Sequence, residues 1–275
     1  MAFGSSQQQR TVIDQMGREV RLPYPPLRII SLVPSQTELL FDLHQQVVGV
    51  TKFCTHPVEA RLLASVIGGT KNFDFAKIKA AQPDLIIGNK EENYQEGIVQ
   101  LERHFPVWMS DIVDLPSALD MIRRVGDLTG KTYLAERLAT ETKQSFDKLR
   151  LAATTPPPVV AYFIWRKPYM VAASGTFIDD MLSRAGFRNV FAGLGRYPEI
   201  TPEQLRAAAP ERILLSSEPY PFGEKHVAEL QEICPAAKIQ LVDGELFSWY
   251  GSRLRLSAAY FSQLLRDNPL RNTAA

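Results

Sequence analysis

Only two cysteines, Cys54 and Cys234, occur in the 275 residues, one in each half and neither in a C-x-x-C spacing. A disulfide framework is not expected of such a chain, and a reducing compartment suits it. No excess of either charge exists: 31 Lys and Arg face 30 Asp and Glu, a net +1, which leaves no electrostatic footprint for nucleic acid or an anionic membrane. Apolar runs stop at strand length and are broken by charge, so no segment is expected to insert in a membrane. Met1 to Arg10 carries Ser5, Ser6 and three glutamines where a secretory peptide needs a continuous apolar stretch. As given, the sequence predicts a cytoplasmic protein, with a periplasmic location as the alternative if the start is incomplete.

Catalytic signatures are missing as well. G-x-x-x-x-G-K-[ST], G-x-S-x-G and H-E-x-x-H do not occur, and Gly193 and Gly195 stand without the third glycine of a dinucleotide fingerprint. The expectation is a protein that is not an enzyme and requires no cofactor.

What the chain does have is alternation. Short β-branched runs predict strands over Ile29–Val33, Val47–Thr51, Leu85–Gly88 and Val107–Met109, then over Val159–Ile164, Met170–Ala173, Ile213–Leu215 and Ile239–Val242. Helical patterns fall between them, at Ile98–Arg103, Ser117–Leu128, Phe177–Ala185, Pro202–Ala208, Lys225–Glu232 and Arg255–Arg266. Ser35 and Glu38 have the spacing of a capping box opening a helix through Leu43. Lys131–Arg150 is a run of good helix formers without Pro or Gly, stopped after Thr154 and Thr155 by Pro156, Pro157 and Pro158. Strand–helix alternation on both sides of that helix predicts an α/β fold of two Rossmann-like lobes joined by one long backbone α-helix. The expected domains are an N-terminal lobe at 1–128, a connecting helix and linker at 129–155, and a C-terminal lobe at 156–275. No residue-level repeat between the halves is legible in the sequence.

Candidate functional residues cluster just past strand ends, where open α/β sheets place their ligands. His56 follows the second strand and reads either as a metal ligand or as a loop cap; with Cys54 it reads as a structural loop rather than a nucleophile and base. His44, His104 and His226 look like surface residues. Glu91 and Glu92, with Asn93, could be a paired acid and base but fit better as the start of a helix, where negative charge meets the positive end of the dipole. In the second half Trp165, Tyr169, Tyr197, Tyr220, Phe222, Phe247, Trp249 and Tyr250 are interleaved with Arg166, Lys167, Arg196 and Arg253. Rings and cations on loops suit a large flat ligand with a polar fringe, whereas the plainer reading is that some of them plug the lobe interface.

The segments TVIDQMGREVRL (11–22), RIISLVPSQTELLF (28–41), GTKNFDFAKIKAAQPDLIIG (69–88), RYPEITPEQLRAAAPERILL (196–215) and FSWYGSRL (247–254) together resemble the substrate-binding proteins of cobalamin, heme and iron-siderophore ABC importers. Among these the cobalamin binders are most similar, and the resemblance runs over nearly all of the chain. It implies the two-lobed, helical-backbone fold and non-enzymatic binding, in the cleft between the lobes, of a metal chelate: cobalamin, heme or a ferric siderophore. By position it implies ligand contacts from Lys52, Phe53, Cys54, Thr55, His56, Asn89, Glu91, Glu92 and Asn93 in the first half. From the second half it implies Trp165, Tyr169, Tyr197, Phe247, Trp249, Tyr250 and Arg253. It also implies an ABC permease partner for a monomer, docked through an acidic residue on each lobe; the second falls on Glu203, while the first falls on Ala76 with Asp74 nearby. The alternative reading is a cytosolic metal-dependent enzyme using His56 with Glu91 or Glu92, and a third is an interaction scaffold that has lost its pocket.

Overall fold

The computed structural model describes residues 8–149 and 156–266. Met1 to Gln7 and the helix-stop residues Arg150, Thr154 and Thr155 lie outside these. The chain divides into two compact units. The first takes the residues up to Ile112, Pro116–Glu141 and Tyr250–Arg253; the second takes Val113–Leu115, Thr142–Trp249 and the residues from Leu254 on.

In chain order the first unit forms β1 (Gln8–Ile13), β2 (Glu19–Tyr24), β3 (Ile29–Ser31), α1 (Pro34–Asp42), β4 (Val47–Val50), α2 (Ala60–Leu63), β5 (Ser65–Val66), β6 (Gly68–Gly69), β7 (Asn72–Phe73), α3 (Phe75–Ala81), β8 (Leu85–Asn89), α4 (Gln95–Glu102), β9 (Val107–Ser110) and α5 (Leu115–Leu128). Its main sheet is parallel throughout, in the order β5-β4-β3-β8-β9. Ile30, Ile86 and Met109 join one apolar cluster with Ile78, Ile98 and Leu101. Leu85 and Ile87, pointing the other way along the same strand, are equally buried, as a parallel sheet covered on both faces requires. Each such aliphatic side chain contributes about 1.5–3 kcal/mol of burial free energy. The edge strand β9 is closed off by the turn between β1 and β2. Asp14 there accepts from Met16 N and Arg18 N (2.9 Å each) and from Met109 N (3.3 Å), while Gln15 N donates to Met109 O.

α1 does not start with the expected capping box. Pro34 takes the first helical position, Val33 is the N-cap and no side chain caps it, so Ser35 lies inside the helix with its hydroxyl buried and without a hydrogen-bond partner. Glu38 points elsewhere: Arg253 donates to both of its carboxylate oxygens, at 2.8 and 2.9 Å. This pair, only 12 % and 15 % exposed, fastens the Tyr250–Arg253 segment to α1. Gly251, at φ +153°, passes so close that a Cβ would lie 2.8 Å from Ser35 O.

α6 (Thr132–Leu149) is the long helix expected over Lys131–Arg150, about 27 Å in length. Its residues up to Glu141 count with the first unit and those from Thr142 with the second. The second unit then forms β10 (Val159–Trp165), β11 (Tyr169–Val171), α7 (Phe177–Arg184), β12 (Arg188–Asn189), β13 (Glu199–Ile200), α8 (Pro202–Ala208), β14 (Arg212–Ser216), α9 (Glu224–Ile233), β15 (Lys238–Val242), α10 (Glu245–Ser248) and α11 (Leu254–Arg266). Its sheet runs β13-β11-β10-β14-β15, with β10, β14 and β15 parallel, β11 antiparallel to both its neighbours, and β12 pairing β10.

Although few residues are identical between the units, one segment of each gives equivalent positions the same structural roles, NFDFAKIKAAQPDLIIGN at 72–89 and EITPEQLRAAAPERILLS at 199–216. Buried Phe73 and Ile200 end short strands; Asp74 and Thr201 accept from the backbone N–H three residues on, opening seven-residue helices. Ile78 and Leu205 are the fully buried anchors, and Gln82 and Ala209 close the helices with left-handed φ of 45° and 44°. A proline and an acid follow in each: Asp84 accepts from Leu27 N and Arg28 N, and Glu211 from Val159 N. Only Ala80/Ala207, Ala81/Ala208, Pro83/Pro210 and Ile86/Ile213 are identical, so the repeat lies in the roles of the residues and escapes letter-by-letter comparison.

Replacing Arg253 by Ala strands the Glu38 carboxylate in a nearly dry site and should cost about 3 kcal/mol in urea unfolding. Removing both partners, as Glu38→Leu with Arg253→Met, should recover most of that loss; an additive double mutant would show the pair to be uncoupled.

Candidate functional site

Parallel pairing brings the carboxyl ends of β3, β4, β8 and β9 to one edge of the first unit, and those of β10, β14 and β15 to one edge of the second. The loops leaving these edges carry nearly every candidate residue.

In the first unit the loop after β4 exposes Lys52 and Phe53, with the ammonium 5.0 Å from the ring centroid, and leaves His56 half-buried. Cys54 turns inward. Its fully buried sulfur lies 3.1 Å from Thr37 Oγ1 and 3.3 Å from Thr51 Oγ1, and burial pushes the thiol's pKa up. Thr37 Oγ1–H also reaches Ser31 Oγ at 2.8 Å, so the hydroxyls of α1 and of the β3 and β4 ends form one buried polar patch.

The loop after β8 is braced from within. Asn89 Oδ1 accepts from Glu91 N (2.8 Å) and Glu92 N (3.1 Å), and its amide donates to Ser110 Oγ (3.0 Å). Asn93 Oδ1 accepts from Asn89 N (2.9 Å), and its amide donates to Thr70 O and Leu32 O. The expected helix start at Glu91–Asn93 is a single side-chain-capped turn, in which Asn89 Oδ1 accepts as a helix cap does and Asn93 N donates to Asn89 O (3.1 Å); α4 begins only at Gln95. Asn89 and Asn93 are buried, whereas Glu91 and Glu92 remain half-exposed. Gly88 is required here, since a Cβ would sit 2.7 Å from Asn93 Oδ1 and from Met109 Sδ.

In the second unit β10 ends at Trp165, 39 % exposed, and the chain turns through Lys167 at φ +64° into Tyr169. Arg166 donates Nε–H and Nη2–H to Glu229 Oε2 at 2.9 and 2.6 Å, and the Tyr169 hydroxyl donates to Glu229 Oε1. The guanidinium holds the Glu229 carboxyl below the usual carboxylate range, while burial and that carboxylate push the Tyr169 phenol up to about 12. Tyr220 stands edge-to-face with Trp165, centroids 5.5 Å apart. Behind it lies His226, which is buried and not on the surface as expected, because it belongs to the N-terminal turn of α9 and packs on Tyr220 and Phe222. Tyr197 is half-buried and follows Arg196 at φ +58°.

The aromatic segment after β15 packs inward. Phe247 is fully buried, 4.6 Å from Phe261 and 5.0 Å from Tyr162 between centroids, and Tyr250 is 5 % exposed. Trp249, 6 % exposed, donates Nε1–H to Glu218 Oε1 (2.8 Å), which also accepts from Ser248 Oγ (2.6 Å). Phe222 likewise belongs to the apolar core of this unit. Burial, with Glu245 and Asp243 nearby, raises the Glu218 carboxyl above its ordinary range. Glu218 and Glu229, which orient the candidate aromatics and cations, escaped the sequence reading because neither lies in a recognisable motif, and Glu38, read there as half of a capping box, serves instead to hold Arg253. The one readable signal was the spacing of Gly223 and His226, a helix N-cap and its third residue.

Among the described residues no three His, Cys, Asp or Glu side chains are grouped so as to hold an ion. No helix among them is long and apolar enough to cross a membrane.

Against known proteins, the model of the family described as periplasmic binding protein matches residues 29–238. The vitamin B12-binding protein of Photorhabdus laumondii is 28 % identical over 252 residues, covering 88 % of this chain and 89 % of its own. Among solved structures, the apo periplasmic heme-binding protein of Roseiflexus sp. RS-1 aligns with a TM-score of 0.77 at 26 % identity, covering 87 % of this chain and 98 % of that one. The periplasmic vitamin B12-binding protein of Vibrio cholerae does so with a TM-score of 0.77 at 22 % identity, covering 88 % and 98 %. These are binding proteins rather than enzymes, and the metal-dependent enzyme alternative finds no counterpart among them. The family and both structures are periplasmic by description, which overturns the expected cytoplasmic location. That expectation rested on the polar start of the sequence and on the scarcity of cysteine.

Because Glu218 has a raised pKa in the folded protein, its favourable contribution is complete below the unfolded carboxyl value of about 4.3 and is lost as pH rises through the folded value. In thermal melts from pH 4 to pH 8, Glu218→Gln, which keeps the acceptor for Trp249 and removes the charge, should gain on the wild type as pH rises. Glu218→Ala should be less stable at every pH, by about 1–3 kcal/mol, since the indole N–H and Ser248 hydroxyl lose their acceptor.

Proposed function

Since the chain belongs to the periplasmic binding protein family, we propose that it captures a metal-centred macrocycle or chelate of the cobalamin and heme kind and delivers it to an ABC permease. The observation that carries this reading is the presence of exposed rings on cation-bearing strand-end loops of each unit: Phe53 with the Lys52 ammonium 5.0 Å from its ring in the first, and Trp165 followed in sequence by Arg166 and Lys167 in the second. A flat conjugated ligand gains dispersion on ring faces while its polar fringe meets charge, and loops braced by buried side chains lose little entropy on binding. The vitamin B12-binding relative and the heme-binding neighbour support this class of ligand.

In this reading the contacts come from Lys52, Phe53, Thr55, His56, Glu91 and Glu92 of the first unit and from Trp165, Tyr169 and Tyr197 of the second. Cys54, Asn89, Asn93, Phe247, Trp249 and Tyr250 act from below, holding those loops in shape, and Arg253 anchors its segment through Glu38. The permease docks on a monomer through Glu203, 73 % exposed at the start of α8, where its own backbone N–H, the Thr201 hydroxyl and Arg206 hold its pKa down. Its counterpart in the repeat is Ala76, with Asp74 committed to capping α3.

Titration of the purified protein with cyanocobalamin, hemin and a ferric siderophore tests the proposal. At least one should shift an absorbance band and, at a hundredfold excess over its dissociation constant, stabilise the fold by about 2.7 kcal/mol. Trp165→Ala should weaken that binding without lowering the melting temperature of the free protein. No response to any of the three would remove the reading.

A further inference from the structure

The loop from Ser217 to Gly223 and the start of α9 hold an arrangement that neither the expected ligand contacts nor the core explains. Gly223 N–H donates to His226 Nδ1 at 2.9 Å, so in the neutral ring the proton is on Nε2. Nε2–H then donates to the Tyr220 hydroxyl oxygen, 3.2 Å away. The Arg166 guanidinium, clamped by Glu229, lies near the same phenol. An oxygen that accepts from the imidazole Nε2–H must direct its own O–H away from that ring. The ring carrying it meets Trp165 at 70°, so that a half-buried phenol and an exposed indole form a corner at the carboxyl edge of the sheet.

We propose that Tyr220 is a ligand-contacting donor at this corner, offering its hydroxyl hydrogen to an acceptor on the rim of a planar ligand seated against Trp165, and that His226 is the residue that positions it. This rests on the binding function proposed above and deepens it. The ligand must present a carboxylate, carbonyl or amide oxygen next to its conjugated plane. The desolvated position of His226, with Lys225 and Arg166 opposing its protonation and Glu229 favouring it, lowers its pKa, so the neutral ring prevails at neutral pH. Protonation in acid places a hydrogen on Nδ1, where Gly223 N–H already points; that bond is replaced by a clash of two donors, which turns the ring away from its position against Tyr220.

Hemin and cyanocobalamin are the probes, titrated by absorbance from pH 8 to pH 5 into wild type, Tyr220→Phe and His226→Gln, with melting temperatures measured alongside. Tyr220→Phe keeps the ring packing and should weaken binding of a bound probe about tenfold with little change in melting temperature. Wild-type affinity should fall in acid, and His226→Gln should be weaker at pH 8 and flatter with pH. Unchanged affinity in Tyr220→Phe for every probe that the wild type binds would overturn the corner while leaving the binding function standing. Equal pH profiles in wild type and His226→Gln would overturn the role of His226. Failure of the wild type to bind either probe, while the ferric siderophore binds, would overturn the requirement for a planar ligand.

Discussion

Parallel strand pairing is the constraint from which the rest follows. A strand paired in parallel must return by a crossover, so the carboxyl ends of the parallel strands face the same way and the loops leaving them gather along one edge. In each unit this single rule collects residues far apart in sequence, such as Lys52 with Glu91, or Trp165 with Tyr220. Function can then be placed on loops while the sheet, buried on both faces, supplies the rigidity.

Those loops are shaped by polar groups that face inward rather than by apolar packing. Asn89 and Asn93 spend their amides on backbone groups of the turn they define, Ser31, Thr37 and Thr51 form a buried hydroxyl patch around Cys54, and Glu218 and Glu229 each receive hydrogen bonds from two residues. Such groups are costly when left unsatisfied and directional when satisfied. They therefore fix the orientation of a neighbouring ring or cation more narrowly than a hydrocarbon contact would.

Much of the fold was legible because strand–helix alternation is a periodic signal, and each strand expected over the main sheets is present to within two residues. The hairpin of β1 and β2 was not, since Gln8–Ile13 exposes most of its length and lacks the apolar alternation of a half-buried strand. α3 was missed because a seven-residue helix with one buried side chain, Ile78, has too little amphipathic pattern to read. Of the candidate site, the loops could be read and the directions of their side chains could not. Strand-end position says that Phe247 and Trp249 stand near the edge, but burial depends on neighbours such as Tyr162, Phe261 and Glu218 that come from distant parts of the chain.

The return of Tyr250–Arg253 to the first unit has a bearing on how the chain is made. Synthesis runs from the N-terminus, yet this unit is completed by four residues that leave the ribosome only after the body of the second unit. Until then α1 has emerged with Glu38 and without the guanidinium that neutralises it in the finished protein. The first unit is therefore sealed only after the body of the second has been synthesised.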